Sequence, residues 1–465
     1  MRRTTLLAWF SLVALVVSAC GAPSTTTPAA QPTAAGKAPA ATSAPAQSQP
    51  TAAAAKPAAQ QQPVQLRFAW WGSQDRHNRT IKVIEMFQQK YPHISISYEF
   101  AGFQDYWTKM TTQATGQNLP DLMQQDYAYI TQWASNNLLT PLDEHVSGGT
   151  IKLDGVPKAS VDGARLNGKL YAVNLGNNSQ TIVLDVAAFE KAGVALPDSK
   201  WTWADFERTA SELHSKLGIY GVGPQLADIQ LWKGLYLGYG QWPFSTDGKT
   251  LAYSDDQKLV EYLKMIMRLQ EAGAAPPQQE EIATRSASVE SRPIVPQKAA
   301  MDYMWSNQLV AVWTAAGDGR KFKLATLPRG EGAPQSQNYL KPSQFISITK
   351  DSKNPKEAAM FIDFMTNDVE ANKVLLGERG VPISPVIQEA IKPLLTPSQV
   401  ETQNYIALIE KEGTPLPPPD PAVVPKLDQN VYLPQLVDPV LLKQTSPEDA
   451  VSKFRKDATS LLQTG

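Results

Sequence analysis

Cysteine is all but missing from this chain. Cys20 is the single one among 465 residues, which excludes an internal disulfide and any cysteine-built metal site. Histidine is scarce as well. His77, His93, His145 and His214 are the four, scattered without metal-ligand spacing. No phosphate-binding loop, dinucleotide glycine fingerprint or nucleophile elbow occurs, and a cysteine nucleophile is impossible beyond Cys20. Neither sign of charge dominates. Lys and Arg number 43 against 44 Asp and Glu, for a net charge of −1. With no long run of either sign, nucleic acid is not an expected partner. No apolar stretch reaches the ~20 residues that span a bilayer, and no internal repeat of roughly 20–50 residues is visible.

What is present begins at the amino terminus. Arg2 and Arg3 precede an almost wholly apolar run, Leu6 to Val17. It is too short for a membrane span, and its basic flank matches a secretory signal. The run ends in Val17-Ser18-Ala19-Cys20, which resembles the lipobox of bacterial lipoproteins. That resemblance implies cleavage before Cys20 and lipidation of its thiol. Residues 1–20 are then a signal segment, and the chain is extracytoplasmic, held to the membrane through Cys20. An ordinary signal peptide with a chance cysteine is the competing reading. Residues 21–63 are rich in Ala, Pro, Thr, Ser and Gln, with only Lys37 and Lys56 charged. Such a stretch cannot bury enough apolar surface to offset its ordering entropy, so it reads as an extended tether.

From residue 64 the pattern changes. Leu66, Phe68 and Trp70 alternate as in a strand, and Ile81, Ile84, Phe87 and Tyr91 follow helical spacing up to Pro92. Ile94, Ile96, Tyr98 and Phe100 alternate again. Helix 103–116, a short buried strand 121–124 and helix 128–136 follow. Strand and helix in alternation predict an α/β fold with a largely parallel sheet. A second block repeats the theme. Strands are expected at 171–173, 181–184, 299–309 and 345–348. Thr202 with Asp205 forms a capping-box pattern that opens a helix ending at Gly218. The last third reads as helices at 355–366, 369–376 and 447–462. Between them Pro415 to Pro425 is a proline-rich loop, either wrapped on the surface or mobile.

Several segments, in order, carry a resemblance. They are Phe68-Ala69-Trp70-Trp71-Gly72, Leu119-Pro120-Asp121-Leu122-Met123 leading to Asp126-Tyr127, and Asn137 to Asp143. Asn167-Gly168-Lys169-Leu170-Tyr171, Phe189-Glu190-Lys191-Ala192-Gly193, Trp201 to Phe206 and Arg379-Gly380-Val381-Pro382 complete the set. Together they are similar to the family 1 extracellular solute-binding proteins, the sugar-binding subunits of bacterial ABC importers. The resemblance implies a two-lobed periplasmic-binding-protein-like fold (type II), with a ligand cleft between discontinuous lobes joined by a multi-strand hinge. It places 64–174 with 307–343 in one lobe and 175–306 with 344–465 in the other. Crossings are expected near 171–177, 304–307 and 342–348. It further implies a monomer that binds an oligosaccharide, docks on ABC permease subunits, performs no chemistry and needs no cofactor or metal. Asn174 stands where the family often has proline. The Trp70-Trp71-Gly72-Ser73 start and the Asp126-Tyr127 pair look most like members that take plant cell-wall oligosaccharides, pectic ones included. A glycoside hydrolase, which needs only two opposed carboxylates, and a non-transporting surface lectin are the alternatives.

A sugar needs rings for its C–H faces and planar polar groups for its hydroxyls. Trp71 ends the first strand, at the edge where open α/β sheets bind ligands. It is a stacking platform or a core residue. Asp126 and Tyr127 follow the strand at 121–124, Asp126 as hydroxyl acceptor or helix cap. Asn177 and Asn178 follow the first crossing, to bond ligand or to satisfy the turn. Trp232 and Tyr236, one helical turn apart, are a second platform or helix core. Trp242 lies in a glycine-rich loop. Trp305 and Asn307 alternate on an expected strand and so share one face. Arg379 is placed to fork onto hydroxyls or a uronate carboxylate, or to make a salt bridge.

Overall fold

The computed structural model describes residues 62–464, apart from 73 and 318. The signal segment, Cys20 and the tether through residue 61 lie outside the described residues. The strands that position the site are β1 (Val64–Trp71), β2 (Ile94–Ala101), β3 (Leu122–Gln125), β4 (Val173–Asn174), β5 (Asn177–Asn178) and β6 (Gln180–Asp185), followed by β7 (Tyr220–Val222), β8 (Ala299–Trp305), β9 (Phe322–Ala325), β10 (Lys341–Pro342) and β11 (Phe345–Ile348). The helices used below are α1 (Gln74–Lys90), α2 (Phe103–Thr115), α3 (Ile130–Ser135), α4 (Trp203–Leu217) and α5 (Ile229–Gly238), then α6 (Leu309–Ala316), α7 (Pro355–Asn367), α8 (Pro397–Glu412) and α9 (Pro447–Thr464).

Two sheets form two lobes. The first runs β2-β1-β3-β11-β4, with β1 parallel to both neighbours and β11 antiparallel to both of its own. Residues Phe68 to Trp71 are all buried, as expected of a parallel strand covered on both faces. Phe68, Phe87 and Phe361 meet edge to face, which joins β1 to α1 and α7. The second sheet runs β9-β6-β8-β7, with β6 antiparallel to β8 and β9. Its core gathers Phe206, Trp232, Met301, Tyr432 and Phe454. A smaller cluster under β9 holds Met304, Leu309, Val312, Phe322 and Tyr405. The capping box reads true. The Thr202 hydroxyl accepts from the Asp205 amide, Asp205 answers from the Thr202 amide, and Gly218 ends α4 in a left-handed conformation at φ 68°.

The lobes are joined at three passages. The chain leaves β4, forms β5 and enters β6. It returns through β10, which pairs antiparallel with β5 (Lys341 opposite Asn178), and enters β11. The third passage follows Arg379. Here Asn177 and Val381 exchange backbone hydrogen bonds of 2.8 and 3.1 Å. A Cβ on Gly176 would lie 2.7 Å from the Gly380 backbone, and Gly380 has φ +108°, so the close approach needs glycine on both strands. Asn174, in place of a family proline, pins the first bend. Its amide donates to Ser160 and Asn177 while its oxygen accepts from Gly176.

The expected exchange of segments between lobes needs correction. The resemblance puts residues 307–343 in the first lobe, yet β9 pairs with β6 in the second. It puts 344–465 in the second, yet β11 and α7 build the first. Nor does the chain cross at 304–307. β8 stops at Trp305, residues 306–308 turn, and α6 buries Leu309 and Val312 within the second lobe. The apolar run after Asn307 continues the strand pattern by eye. The turn is made instead by Gln308, whose side-chain oxygen accepts the Trp305 amide at 2.9 Å.

Candidate functional site

The C-terminal end of β3 delivers Gln125, Asp126 and Tyr127 to the edge of the first lobe. Tyr127 is buried, and its hydroxyl donates to the Pro417 carbonyl at 2.7 Å. Pro417 belongs to the proline-rich loop, which is fastened to the second lobe. Thr414 donates its amide to the Asn338 carbonyl at 2.8 Å, and Asp420 reaches Lys233. The loop is therefore a strap that meets both lobes, the wrapped alternative and not the mobile one. Leu416 and Pro342 both crowd against Gly163 of the first lobe.

α5 carries the sequence Ile-Gln-Leu-Trp-Lys-Gly-Leu-Tyr-Leu-Gly, buried throughout from Leu231 to Gly238. Trp232 and Tyr236 do share a face, but it looks into the lobe. Trp232 meets Phe454 at 5.4 Å and Tyr432 at 5.6 Å. Tyr236 stacks on Tyr253 at 3.9 Å and donates to the Asp255 carbonyl. Both are fully buried core residues, not a platform. Lys233, one step round the helix, faces the other way. Its ammonium pairs with Asp420 at 2.5 Å and lies 5.6 Å from the Trp242 ring. Asp228 and Asp428 stand near the same lysine. Burial raises both carboxyls, Asp428 to about 6, with Lys233 opposing the rise.

Gln337 lies across α5, its side-chain oxygen 3.7 Å from where a Cβ on Gly234 would stand. It is fully buried, and neither atom of its amide finds a partner among the described residues. Side-chain atoms of Gln125, Asn178, Trp242 and Asp420 are likewise buried without partners. An unpaired buried polar atom costs about 1–3 kcal/mol. Such atoms can be satisfied by water or by a ligand that carries hydroxyls. Burial pushes the phenols of Tyr127 and Tyr339 upward and the Asp420 charge adds to both, so both stay neutral donors.

The remaining expected residues divide. Trp305 is half-buried with the Lys341 ammonium 5.3 Å from its ring. Asn178 is opposite Lys341 on the hinge strands. Contacts thus link Tyr127 to the strap through Pro417, Trp242 to the Lys233–Asp420 pair, and Trp305 to Asn178 through Lys341. Asp126 is half-buried, and one of its oxygens accepts the Ala128 amide at 2.9 Å, a turn made just before α3. Trp71 is buried in the first lobe's core, 5.0 Å from Tyr106 and 5.4 Å from Phe103. Asn177 is spent on the hinge, donating to Ser160 at 2.7 Å and accepting from Asn174. Arg379 is 4% exposed, with its fork taken by Gln124 and Thr80. Burial lowers it to about 9, against the opposing charge of Glu378. It clamps α1 to β3 and has no free edge for a uronate. Asn307 sits in the turn rather than on a strand, so it shares no face with Trp305. It lines a separate cavity of about 250 Å³ with Asp75, Arg79 and Glu378.

Lys233, Gln337, Tyr339, Lys341 and Asp420 escaped the sequence reading. Two of them left a signal. Lys233 is the only charge in helix Ile229–Gly238, and Asp420 the only charge between Pro415 and Pro425. A charge alone in such surroundings is buried with a partner or placed for a ligand.

Two α/β lobes on a three-passage hinge, with polar and aromatic groups at the strap and hinge between them, are the architecture of a solute-binding protein. The chain belongs to the bacterial extracellular solute-binding proteins, whose family model matches residues 82–401. Solved structures agree. A family 1 extracellular solute-binding protein from Alicyclobacillus acidocaldarius is 27% identical, with a TM-score of 0.75 over 87% of this chain and 99% of its own. A periplasmic oligogalacturonide-binding protein from Yersinia enterocolitica is 22% identical, with a TM-score of 0.69 over 86% and 99%. The GacH receptor of Streptomyces glaucescens, solved with acarbose, is 20% identical, with a TM-score of 0.66 over 87% and 99%. The last two show the shared fold. No helix among the described residues is long and apolar enough to cross a membrane.

Proposed function

We propose that this chain captures an oligosaccharide between its lobes and presents it to an ABC-type permease, as an extracytoplasmic monomer lipid-anchored through Cys20. The observation that carries the reading is the seam itself. Lys233 pairs with Asp420 beside the Trp242 ring, Gln337 lies across the same helix with its amide unpartnered, and Lys341 links the Trp305 ring to Asn178, whose side-chain oxygen is also unpartnered. Rings serve the C–H faces of a sugar, and amides and charges serve its hydroxyls. Among the solved relatives, one is named for an oligogalacturonide, and others were solved with cycloalternan and with acarbose.

Capture needs no bond chemistry. The ligand touches both lobes only when they close, and that difference in affinity shifts the population toward the closed form. Within this reading a pectic chain is the narrower choice, with the Lys341 ammonium, on hinge strand β10 and over the Trp305 ring, available to a uronate.

The test is a thermal-shift screen of the chain from residue 61 onward, which forms one compact unit, against gluco-oligosaccharides and oligogalacturonides. A ligand selective for the folded state raises the melting temperature. A shift without release of product over hours supports capture. Product release would support a hydrolase, and binding without compaction in solution scattering a lectin. No shift with any sugar would overturn the carbohydrate reading. Lipidation is tested separately, by metabolic labelling of the chain and of Cys20→Ser.

A further inference from the structure

Beyond the seam, the first lobe carries a second group of rings. α2 opens with Phe103, which is 37% exposed. Its ring lies 5.4 Å from Trp71, 6.2 Å from Trp107 and 6.2 Å from Tyr129. Trp107 and Tyr129 are closer still, at 4.4 Å. Phe103 and Tyr129 keep solvent exposure, while Trp107 beneath them is 8% exposed. The Trp107 indole N–H is buried with no acceptor among the described residues.

Ordinary core packing explains the ring contacts but not the rest. An indole N–H taken from water without an acceptor is destabilising, and a buried tryptophan usually finds one. An exposed phenylalanine at its rim adds apolar surface that the core does not use. The group is also continuous with the site already described. Tyr129 lies two residues beyond Tyr127 on the loop that follows β3. The Tyr129 amide donates to the Asp126 carbonyl at 3.0 Å, and the charge of Asp126 adds to burial in raising the Tyr129 phenol.

We infer that Phe103, Trp107 and Tyr129 form an accessory sugar subsite on the first lobe, outside the seam, that holds the further residues of a longer chain. This rests on the oligosaccharide reading above. Phe103 and Tyr129 offer ring faces for stacking, and the Trp107 N–H and the Tyr129 hydroxyl offer donors to sugar oxygens. None of the three is charged, so the subsite reads ring faces and hydroxyls, not a carboxylate. Its consequence is a dependence of affinity on chain length.

The experiment is calorimetric titration of wild type, Phe103→Ala and Trp107→Phe with a disaccharide and a pentasaccharide of whichever series binds, maltose or galacturonate. Phe103 is partly exposed, so its truncation leaves the melting temperature near that of wild type. Trp107→Phe keeps a ring and removes the N–H. In wild type the pentasaccharide binds more tightly than the disaccharide. Both variants weaken the pentasaccharide about tenfold, the loss of one stacked or donated contact, and leave the disaccharide unchanged. Equal weakening of both ligands, or no effect on either, overturns the subsite while the oligosaccharide reading stands. A wild-type protein that binds neither series overturns both.

Discussion

Replacing Glu281 by Gln is expected to stabilise the second lobe, and only at neutral to alkaline pH. The Glu281 carboxylate is 7% exposed. One oxygen accepts the Gln225 amide at 3.2 Å, and the other has no partner among the described residues. The Arg292 guanidinium is spent elsewhere, on fully buried Asp302 at 2.8 Å and on the Tyr303 carbonyl at 2.7 Å. Burial therefore raises Glu281 from 4.5 to about 7, Asp302 adds to the rise, and the Gln225 amide, Arg285 and Arg292 oppose it. A carboxyl with a raised value in the folded state holds its proton more tightly there than in the unfolded chain. Its contribution is most favourable below pH 4.5 and is lost as pH rises through 7. At about 1.36 kcal/mol per pH unit between the two values, the loss is roughly 3 kcal/mol. Asp302, raised by burial to about 6, acts in the same direction. Glu281→Gln keeps an acceptor for Gln225 and removes the titration. Urea unfolding should find the variant more stable than wild type by ~3 kcal/mol at pH 8, and equal to it near pH 4.5. A pH-independent difference, or a variant weaker at pH 8, would refute the reasoning.

Three further outcomes separate core from site. Trp232→Ala deletes a fully buried ring and should cost about 3–5 kcal/mol of stability without changing the affinity of molecules that remain folded. Normal melting with weakened sugar binding would return Trp232 to the site. Lys233→Met keeps the aliphatic stem and drops the charge. Sugar affinity should fall about tenfold or more, the scale of a hydrogen bond to a charged group. Stability should change by only about 1 kcal/mol, because Asp420 is a quarter exposed and rehydrates; calorimetric affinity equal to wild type removes Lys233. Tyr127→Phe removes the hydroxyl that bonds Pro417 across the lobes. A bond across the lobes favours the closed form, and its loss should lower apparent affinity about fivefold, near 1 kcal/mol. Unchanged affinity and unchanged compaction in scattering would show that the strap does not depend on it.

Much of the frame was legible in the residues. Leu66-Phe68-Trp70 and Ile94-Ile96-Tyr98 fall on β1 and β2, and the Thr202–Asp205 box opens α4 where its spacing says. These are local events, set by side-chain period and by hydrogen bonds within a turn. The turn at 306–308 was not legible, because the apolar residues after it fit a strand or a buried helix equally well by periodicity. Which lobe received β9 and β11 was also hidden, since strand partners are chosen by long-range register and not by the strand itself. For the site, Trp232 and Tyr236 share a helix face as expected, but what that face meets lies over 200 residues away, at Phe454. Only the packed lobe turned that face to the core and left Lys233 facing Asp420. The chain by itself determined a binding protein's elements, their order and their chemistry. Tertiary packing decided which aromatic and polar side chains were spent on the core and hinge and which remained for a ligand, because burial and pairing depend on neighbours distant in sequence.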